Sequence, residues 1–484
     1  MSKSFDLNIK YPLRGVSRSV AYCMEHPHAT PGAFNMRPSG PLESRKRGGS
    51  RPGIVKVVAD NFTGGITSVC GVTYVDGSGV RQNDIAVIAG GDFFLARGED
   101  VSEQVAYLTT DGGVQITDEE GTPIVFDSSV SESNPLTDSG TFQLCEKGGK
   151  IFIADSQLKV HDPITGTVDV VPNAPAGLPI VCTYEERIVL SGADHMFYAS
   201  AQADESDWDA GAEMGNVGRA VFGHVGGGGK IGDKINALVP WNDKVLVVGT
   251  EESIWAIYGN LATGEKVNIS PFVGIVGPNA LSITPGGKVV FLSRTGLYLW
   301  QIGSNAHPEE FSANVIPEEL VNVDTETTTV LMQYDHAFGG VHLFLTPADG
   351  VGKHWWIDLD TMSLWPVVIP EGMQPVAICK IGDDVIYGCK DGYIRKFSDA
   401  ATSDDGTEID SHILLGPFRI SGNDRLDGMI MEMHGVLADN AGGVTWRIFT
   451  GDSAEAVTDA AVDAVNDEVS GGIASGYRFS GTWS

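Results

Sequence analysis

The chain has 484 residues, 42% of them hydrophobic, with a mean hydropathy of −0.01 and a formal net charge of −31. A chain of this length can bury a large core, and none of its apolar runs approaches the ~20 residues that a membrane-spanning helix needs. The N-terminus lacks the charged-then-apolar pattern of a signal peptide, which predicts synthesis in a cytoplasm. So acidic a chain is also a poor candidate for wrapping duplex DNA through its phosphates.

The charge is unevenly distributed along the chain. Residues 1–60 hold 10 Lys/Arg against 4 Asp/Glu, a net of +6, and the remainder holds 22 against 59, a net of −37. Pro and Gly are too dense in this first segment for a helix or a central strand, so we predict an extended basic N-terminal docking arm over 1–60. Its basic cluster comprises Arg45, Lys46, Arg47 and Arg51. Docking on an acidic protein partner is the favoured role; a solvated arm and direct DNA contact are the alternatives.

One sequence pattern recurs from residue 61 to residue 405. A polar turn precedes a short aliphatic strand, and a Gly- or Asp-led turn precedes a strand with an aromatic tip, as in 150–162, 244–258, 288–300 and 385–397. Repeats of roughly 40–50 residues with two to four strands each are typical of β-propeller blades. Strand-rich units begin near residues 68, 143, 182, 236, 281, 333 and 376. We therefore predict an all-β fold with a six- or seven-bladed β-propeller over 61–405.

The repeat ends near residue 405, and residues 406–484 are predicted to form a small C-terminal β-rich domain containing one helix. Strands are expected over 411–421, 428–438 and 444–450, a helix from about Ser453 to Glu468, and a last strand over 477–483. Four acidic residues spaced by four lie along one face of this helix: Glu455, Asp459, Asp463 and Asp467. Like charges at this spacing destabilise a helix, so this stripe is either a merely solvated face or a surface on which the charge has a function.

No constellation of residues predicts catalytic, cofactor-binding or metal-binding chemistry, so the protein is predicted not to be an enzyme. The segment 226–230 is no P-loop, because His224 occupies the first glycine position and Ile231 replaces the Ser/Thr. The carboxylates of 403–410 lack the spacing of an EF-hand and fit an Asp-Gly turn. The six cysteines are dispersed, without zinc spacing.

Four tryptophans occupy similar places within their blades: Trp255, Trp300, Trp356 and Trp365. Packing between neighbouring blades explains them, and an aromatic platform for sugar binding is the alternative.

Two segments resemble a known family. The run 35–53, Asn-Met-Arg-Pro-Ser-Gly-Pro-Leu-Glu-Ser-Arg-Lys-Arg-Gly-Gly-Ser-Arg-Pro-Gly, and the run 407–418, Thr-Glu-Ile-Asp-Ser-His-Ile-Leu-Leu-Gly-Pro-Phe, resemble the tail nozzle and tail hub (packaged-DNA stabilisation) proteins of short-tailed phages that carry a propeller. Specific sequence similarity to this family is confined to about 30 residues, while the arrangement of domains along the whole chain is similar to that of the family.

This resemblance implies a structural virion protein. Such subunits form a homo-oligomeric ring, a hexamer, below the portal and adaptor proteins. The ring continues the DNA channel, lets genomic DNA pass without specific binding and holds fibres or spikes. In such a ring the acidic stripe of Glu455, Asp459, Asp463 and Asp467 is expected to line the DNA channel. Family members continue for another strand or two beyond the position of Ser484. We therefore expect the C-terminal domain either to be incomplete in this chain or to be completed by a neighbouring subunit.

Two other classes of function remain open from the sequence. A propeller-type polysaccharide hydrolase or lyase predicts a monomer with carboxylates converging at one mouth of the central tunnel. A receptor-binding propeller module predicts a recognition surface on the disc.

Overall fold

The computed structural model describes residues 8–39, 46–97, 106–107, 125–126, 134–135, 143–211, 215–226, 232–316, 318–419, 430, 432–437, 442–469, 476–477 and 479–483. Six four-stranded antiparallel sheets, each with its strands in sequence order from the inside outward, and a seventh sheet of six strands make up a seven-bladed β-propeller. The predicted choice between six and seven blades is therefore resolved as seven.

The first three blades come from the N-terminal half of the propeller. Blade 1 consists of Ile66–Val75, Arg81–Ala89, Asp92–Arg97 and Asn134–Pro135; blade 2 of Gln143–Lys147, Lys150–Ala154, Leu158–Asp162 and Thr167–Val170; blade 3 of Ile180–Tyr184, Arg187–Ser191, Met196–Ala199 and Val221–His224.

The next three blades follow in the same way. Blade 4 consists of Ile235–Asn242, Val245–Thr250, Ile254–Tyr258 and Glu265–Ser270; blade 5 of Leu281–Ile283, Lys288–Ser293, Gly296–Gln301 and Glu309–Glu310; blade 6 of Thr328–Asp335, Gly340–Pro347, Lys353–Asp358 and Ser363–Val367.

Blade 7 is assembled from both ends of the propeller sequence. Its inner strands are Pro375–Ile381, Asp384–Cys389 and Ile394–Ser398, and its fourth strand is Gly53–Lys56 from the N-terminal segment, with Ile54 opposite Phe397. Ser403–Asp404 and Thr407–Glu408 extend the same sheet. The predicted boundary between arm and propeller at residue 60 is thus wrong at this strand, because backbone hydrogen bonds to the last blade place 53–56 inside the propeller.

The first strand of each blade contacts the first strand of the next, and that of blade 7 contacts that of blade 1. The innermost strands therefore enclose a central channel. The second strands are buried almost completely, with Val247, Phe291 and Leu343 each 0% exposed. This burial on both faces explains their continuous aliphatic sequences, since a strand covered by neighbouring blades has no polar face to present to water.

Short elements lie outside the blades. Four two-stranded pairings join Ala33–Phe34 to His412–Ile413, Met36–Arg37 to Gly49–Ser50, Ala106–Tyr107 to Val125–Phe126, and Val444–Ile448 to Phe479–Trp483. The 3-10 helices are Tyr22–Met24 and Glu371–Met373, and the α-helix is Ala454–Val469. No helix in the described ranges is both long and apolar enough to cross a membrane.

Candidate interaction surfaces

The two segments that carry the family resemblance meet in space. Ala33–Phe34 pairs with His412–Ile413, and Asn35 Nδ2 donates a hydrogen bond of 2.7 Å to the carbonyl of Asp410. The hydroxyl oxygens of Ser50 and Ser411 lie 2.6 Å apart. The N-terminal segment and the chain leaving the last blade therefore form one junction, which we call the arm junction (residues 33–37, 49–56 and 403–413).

Arg51 lies at the centre of the arm junction and is 2% exposed. Its Nη1 and Nη2 donate to Oδ1 and Oδ2 of Asp404 at 2.8 and 2.5 Å. Its Nε donates to Asn35 Oδ1, and its remaining hydrogen bonds go to the carbonyls of Pro52 and Val368. The prediction of Arg51 as a docking residue is therefore wrong, because its guanidinium is fully used inside the subunit.

The rest of the predicted basic cluster lies nearer the surface. Lys46 and Arg47 are both exposed, and Lys46 Nζ lies 3.3 Å from Asp360 Oδ2 in a solvated ion pair. Arg45 lies outside the described residues. The two exposed side chains keep the docking prediction open at 46–47, although the arm itself already packs on its own propeller.

A second buried arginine, Arg37, was not singled out from the sequence. It is 3% exposed, and its guanidinium carbon lies 4.0 Å from the ring centre of Trp356 and 5.1 Å from that of Phe338. Burial lowers the pKa of Arg37 to about 9, against the opposing field of Asp335. The arm is therefore anchored between blades 6 and 7 by two arginines, one ion-paired and one held by cation–π contacts.

The Asp-Gly turn predicted within 403–410 is confirmed. Asp405 and Gly406 both have positive φ, 48° and 90°, in the two-residue connection between Ser403–Asp404 and Thr407–Glu408. This is the backbone geometry that a tight hairpin turn requires. The two carboxylates of this turn form ion pairs, Asp404 with Arg51 and Asp405 with Arg395. Within the described ranges no group of three or more His, Cys, Asp or Glu side chains could hold a metal ion.

The C-terminal helix begins one residue later than predicted and ends one residue later. Its buried side comprises Thr458, Ala461, Ala464 and Val465. The four residues of the acidic stripe, Glu455, Asp459, Asp463 and Asp467, are all exposed. The backbone N–H of Tyr22 donates to Glu455 Oε1 at 2.9 Å, so the start of the helix rests on the arm. Whether the stripe faces a DNA channel stays a prediction.

The rest of the C-terminal region departs from the predicted three strands. Strand structure is limited to His412–Ile413 in the first predicted range, and 432–437 contains none. Among the described residues, the strand Val444–Ile448 and the last strand Phe479–Trp483 pair with each other and with no other strand. Large apolar side chains remain exposed across this region: Leu415, Phe418, Ile430, Met433, Val436, Leu437, Val444, Tyr477 and Phe479.

The tryptophans predicted at the blade tips are all buried. Trp255 and Trp300 are 8% and 4% exposed, and Trp356 and Trp365 are 1% and 0% exposed. The four rings thus pack inside the protein, but Trp356 and Trp365 contact the N-terminal arm, where Arg37 lies over Trp356 and Tyr11 stacks on Trp365, so packing between neighbouring blades does not account for all four. A sugar-binding platform made of these four rings is excluded, because a buried ring cannot stack on a ligand.

The described part of the chain has a cavity of about 420 Å³ in the central channel, where the first strands of blades 4, 5 and 6 end in their turns. Its polar lining comprises Trp241, Asn242, Ser282, Thr284, Gln333, Tyr334 and Lys380. No Asp or Glu lines it. This arrangement differs from the converging carboxylates that a polysaccharide hydrolase would need at this mouth.

These features define a class: a seven-bladed β-propeller whose N-terminal strand completes the last blade and whose C-terminal region carries an open two-stranded sheet. No family model matches the chain, and no curated protein matches it.

Solved structures with a similar fold include the WD40 β-propeller domain of Doa1, with 12% identity and a TM-score of 0.42 over 72% of this chain and 97% of that one. The streptogramin B lyase structure shows 10% identity and a TM-score of 0.43 over 71% and 97%. Virginiamycin B lyase from Staphylococcus aureus shows 12% identity and a TM-score of 0.40 over 71% and 98%.

Proposed function

We propose that this chain is a structural virion protein of a tailed phage, a nozzle or hub subunit in the tail. Copies of it form a ring below the portal and adaptor proteins, and the ring continues the DNA channel and holds fibres or spikes. The protein acts by assembly and has no catalytic role.

The observation that carries this proposal is the arm junction. The two stretches that resemble tail nozzle and hub proteins are more than 350 positions apart in sequence, yet Arg51 of one is ion-paired with Asp404 beside the other. Replacing one partner of a buried ion pair is strongly destabilising, because the other charge is left buried without compensation. A resemblance confined to both sides of one junction supports a common way of attaching the arm to the propeller.

The C-terminal region supports assembly into a ring. A two-stranded sheet has too little buried surface to be stable by itself, and here the exposed apolar residues Val436 (98%) and Phe479 (60%) lie in the same region. Exposed apolar patches of this kind mark sites of protein association. A neighbouring subunit that pairs with the open strand edges would cover them, and head-to-tail contacts of this kind generate a ring when the rotation between subunits closes.

The acidic stripe fits the passage of DNA. Glu455, Asp459, Asp463 and Asp467 are exposed on one helix of a chain with net charge −31. A ring would multiply this stripe into an acidic collar that offers no cations to phosphates and so lets DNA pass without binding.

Electron microscopy of purified virions that contain a tagged copy of the chain tests the proposal. We expect density for the tag in a ring around the tail axis, below the portal. Absence of the tagged protein from particles that package DNA normally, or its location on the head shell, would refute the proposed role.

A further inference from the structure

The cavity in the central channel differs in chemistry from the rest of this acidic protein. Blade 4 contributes Trp241 and Asn242, blade 5 contributes Ser282, blade 6 contributes Tyr334, and blade 7 contributes Lys380 from the adjoining wall. The volume of about 420 Å³ lies within the ~300–1,000 Å³ typical of small-molecule sites. Among the described residues, no carboxylate lines it.

Three of the seven polar side chains of this lining are hydrogen-bond donors without a partner in the described ranges, while Thr284 accepts the N–H of Lys288 and Gln333 donates to the carbonyl of Tyr334. In the described part of the chain, the Lys380 ammonium, the Trp241 indole N–H and the Tyr334 hydroxyl make no hydrogen bond or ion pair. Asn242 uses its side-chain oxygen to accept the N–H of Lys244, which leaves its NH₂ group for a ligand. The Ser282 hydroxyl oxygen likewise accepts the N–H of Tyr334. A ligand that satisfies these groups must be rich in acceptors.

The single lysine of the lining favours a small anion with one negative charge. One ammonium balances one carboxylate, and a charge-assisted hydrogen bond between them is stronger than a neutral one. A polyanion such as DNA would be repelled by the surrounding acidic body. A phosphate group is usually held by several cations or by a nest of backbone N–H groups, and the lining offers one lysine.

The two aromatic residues favour a sugar ring. Trp241 lies against the turn that joins the first two strands of blade 5, with Cζ2 3.0 Å from the position of a Cβ on Gly287, and it is only partly buried. Trp and Tyr combine an apolar face with a polar edge, which matches a pyranose that has C–H groups on one face and hydroxyls around its edge. We propose that the channel cavity is a binding site for an acidic saccharide, with Lys380 pairing the uronate carboxylate and Trp241 packing on the ring.

This site is independent of ring assembly and can be tested on the full chain. The probes are glucuronate, glucose and inorganic phosphate, titrated by calorimetry and by ligand-observed NMR. We expect glucuronate to bind at millimolar or lower concentration, at least about tenfold more tightly than glucose, and more weakly as salt is raised. Phosphate should not compete.

Four variants locate the site. Lys380→Gln should weaken glucuronate binding at least about tenfold and abolish its preference over glucose, and Lys380→Arg should retain most of the affinity. Trp241→Leu should weaken both sugars. Lys353→Gln, which removes the same charge at an exposed position outside the cavity, should change nothing.

Several results would overturn the proposal. One is the absence of glucuronate binding to the wild-type chain, and another is equal binding of glucuronate to the wild type and to Lys380→Gln. Phosphate binding that outcompetes glucuronate would show a general anion site instead. Thermal unfolding of every variant identifies any that fails to fold. If Lys380→Gln does not fold, the glucuronate affinities of the wild type, Lys380→Arg and Trp241→Leu test the proposal instead.

Discussion

Arg51 and Asp404, 353 positions apart, form a two-point ion pair that is closed to solvent on both sides, with side-chain exposures of 0% and 3%. The pair holds the strand Gly53–Lys56 beside Ser403–Asp404 in the sheet of blade 7. Gly53 is required here because a Cβ at this position would lie 2.4 Å from the carbonyl oxygen of Ser403. The stability of the propeller therefore depends on residues that precede it in the sequence.

Removing one side of this pair should destabilise the whole propeller. Arg51→Met leaves the Asp404 carboxylate buried without its partner, which costs about 3–5 kcal/mol in the free energy of unfolding. Urea unfolding of the full chain measures the loss. Lys46→Gln, which breaks the exposed pair with Asp360, should cost less than about 1 kcal/mol. Equal effects of the two substitutions would contradict a structural role for the buried pair.

The buried histidine His354 should make stability depend on pH. Burial lowers the pKa of His354 to about 3, with smaller contributions from Arg51 and Lys390. In the unfolded chain His354 therefore binds a proton near pH 6.5, whereas in the folded chain it stays neutral until the pH approaches 3. The contribution of His354 to the free energy of unfolding is fully present above pH 6.5 and decreases as the pH falls toward 3. Between pH 7 and pH 5 the loss from this residue should be about 2 kcal/mol.

His354→Gln keeps an acceptor for the Leu345 N–H, which His354 Nδ1 accepts at 3.3 Å, and removes the titration. Its free energy of unfolding should decline less between pH 7 and pH 5 than that of the wild type. The same substitution at the exposed His336 serves as the control and should leave the wild-type slope. Identical slopes for all three proteins would show that His354 does not contribute.

Charge reversal of Arg45, Lys46 and Arg47 to Glu should separate docking from folding. Lys46 and Arg47 are exposed, so the midpoint of thermal unfolding should change little. Incorporation into tails should be lost, because the reversed segment would repel an acidic partner surface. Quantification of the chain in purified particles provides the measurement, and wild-type incorporation would exclude the docking role.

Assembly should depend on the open C-terminal sheet. Native mass measurement of complexes released from virions should give a ring of about six subunits, as the family resemblance implies and as closed symmetry favours. Val444→Glu with Phe479→Glu places charges on the exposed apolar positions and should shift the protein to monomers. Val351→Glu, at a 59% exposed position on blade 6, should leave the ring intact. A wild-type chain that is monomeric inside particles would disprove ring assembly.

Changing Glu455, Asp459, Asp463 and Asp467 to Gln or Asn tests the acidic stripe. Loss of like-charge pairs should stabilise the helix by a few tenths of a kcal/mol per pair. If the stripe lines the channel, DNA ejection should slow, most strongly at low ionic strength where the screening length is long. Ejection at the wild-type rate would leave the stripe as a solvated helix face.

The repeating blades could be predicted well from the sequence because local chemistry determines them. The first strands begin at Ile66, Gln143, Ile180, Ile235, Leu281, Thr328 and Pro375, each within five residues of its predicted start. Alternating apolar residues and Gly-rich turns report directly on hairpins. The single C-terminal helix also follows a local pattern of capping and spacing.

The missed features depend on contacts between distant residues. The strand Gly53–Lys56 is short and follows a Pro-rich stretch, and only its pairing with Ile394–Ser398 makes it part of a sheet. In the sequence, Arg37 and Arg51 look like arginines of a basic surface segment. They are buried because the arm packs against blades 6 and 7. The channel cavity is lined by Trp241, Tyr334 and Lys380 from three different blades, and no local sequence motif predicts that these residues lie together.

The origin of the outer strand of blade 7 also has a consequence for biosynthesis. Residues 53–56 leave the ribosome first, but their partners 394–398 follow about 340 residues later, or roughly 17–70 s at bacterial rates of elongation. During this interval the early strand has an open edge, and the disc cannot close. A message truncated anywhere before residue 394 would therefore yield an open, aggregation-prone product, so that only chains translated through the last blade can close the disc.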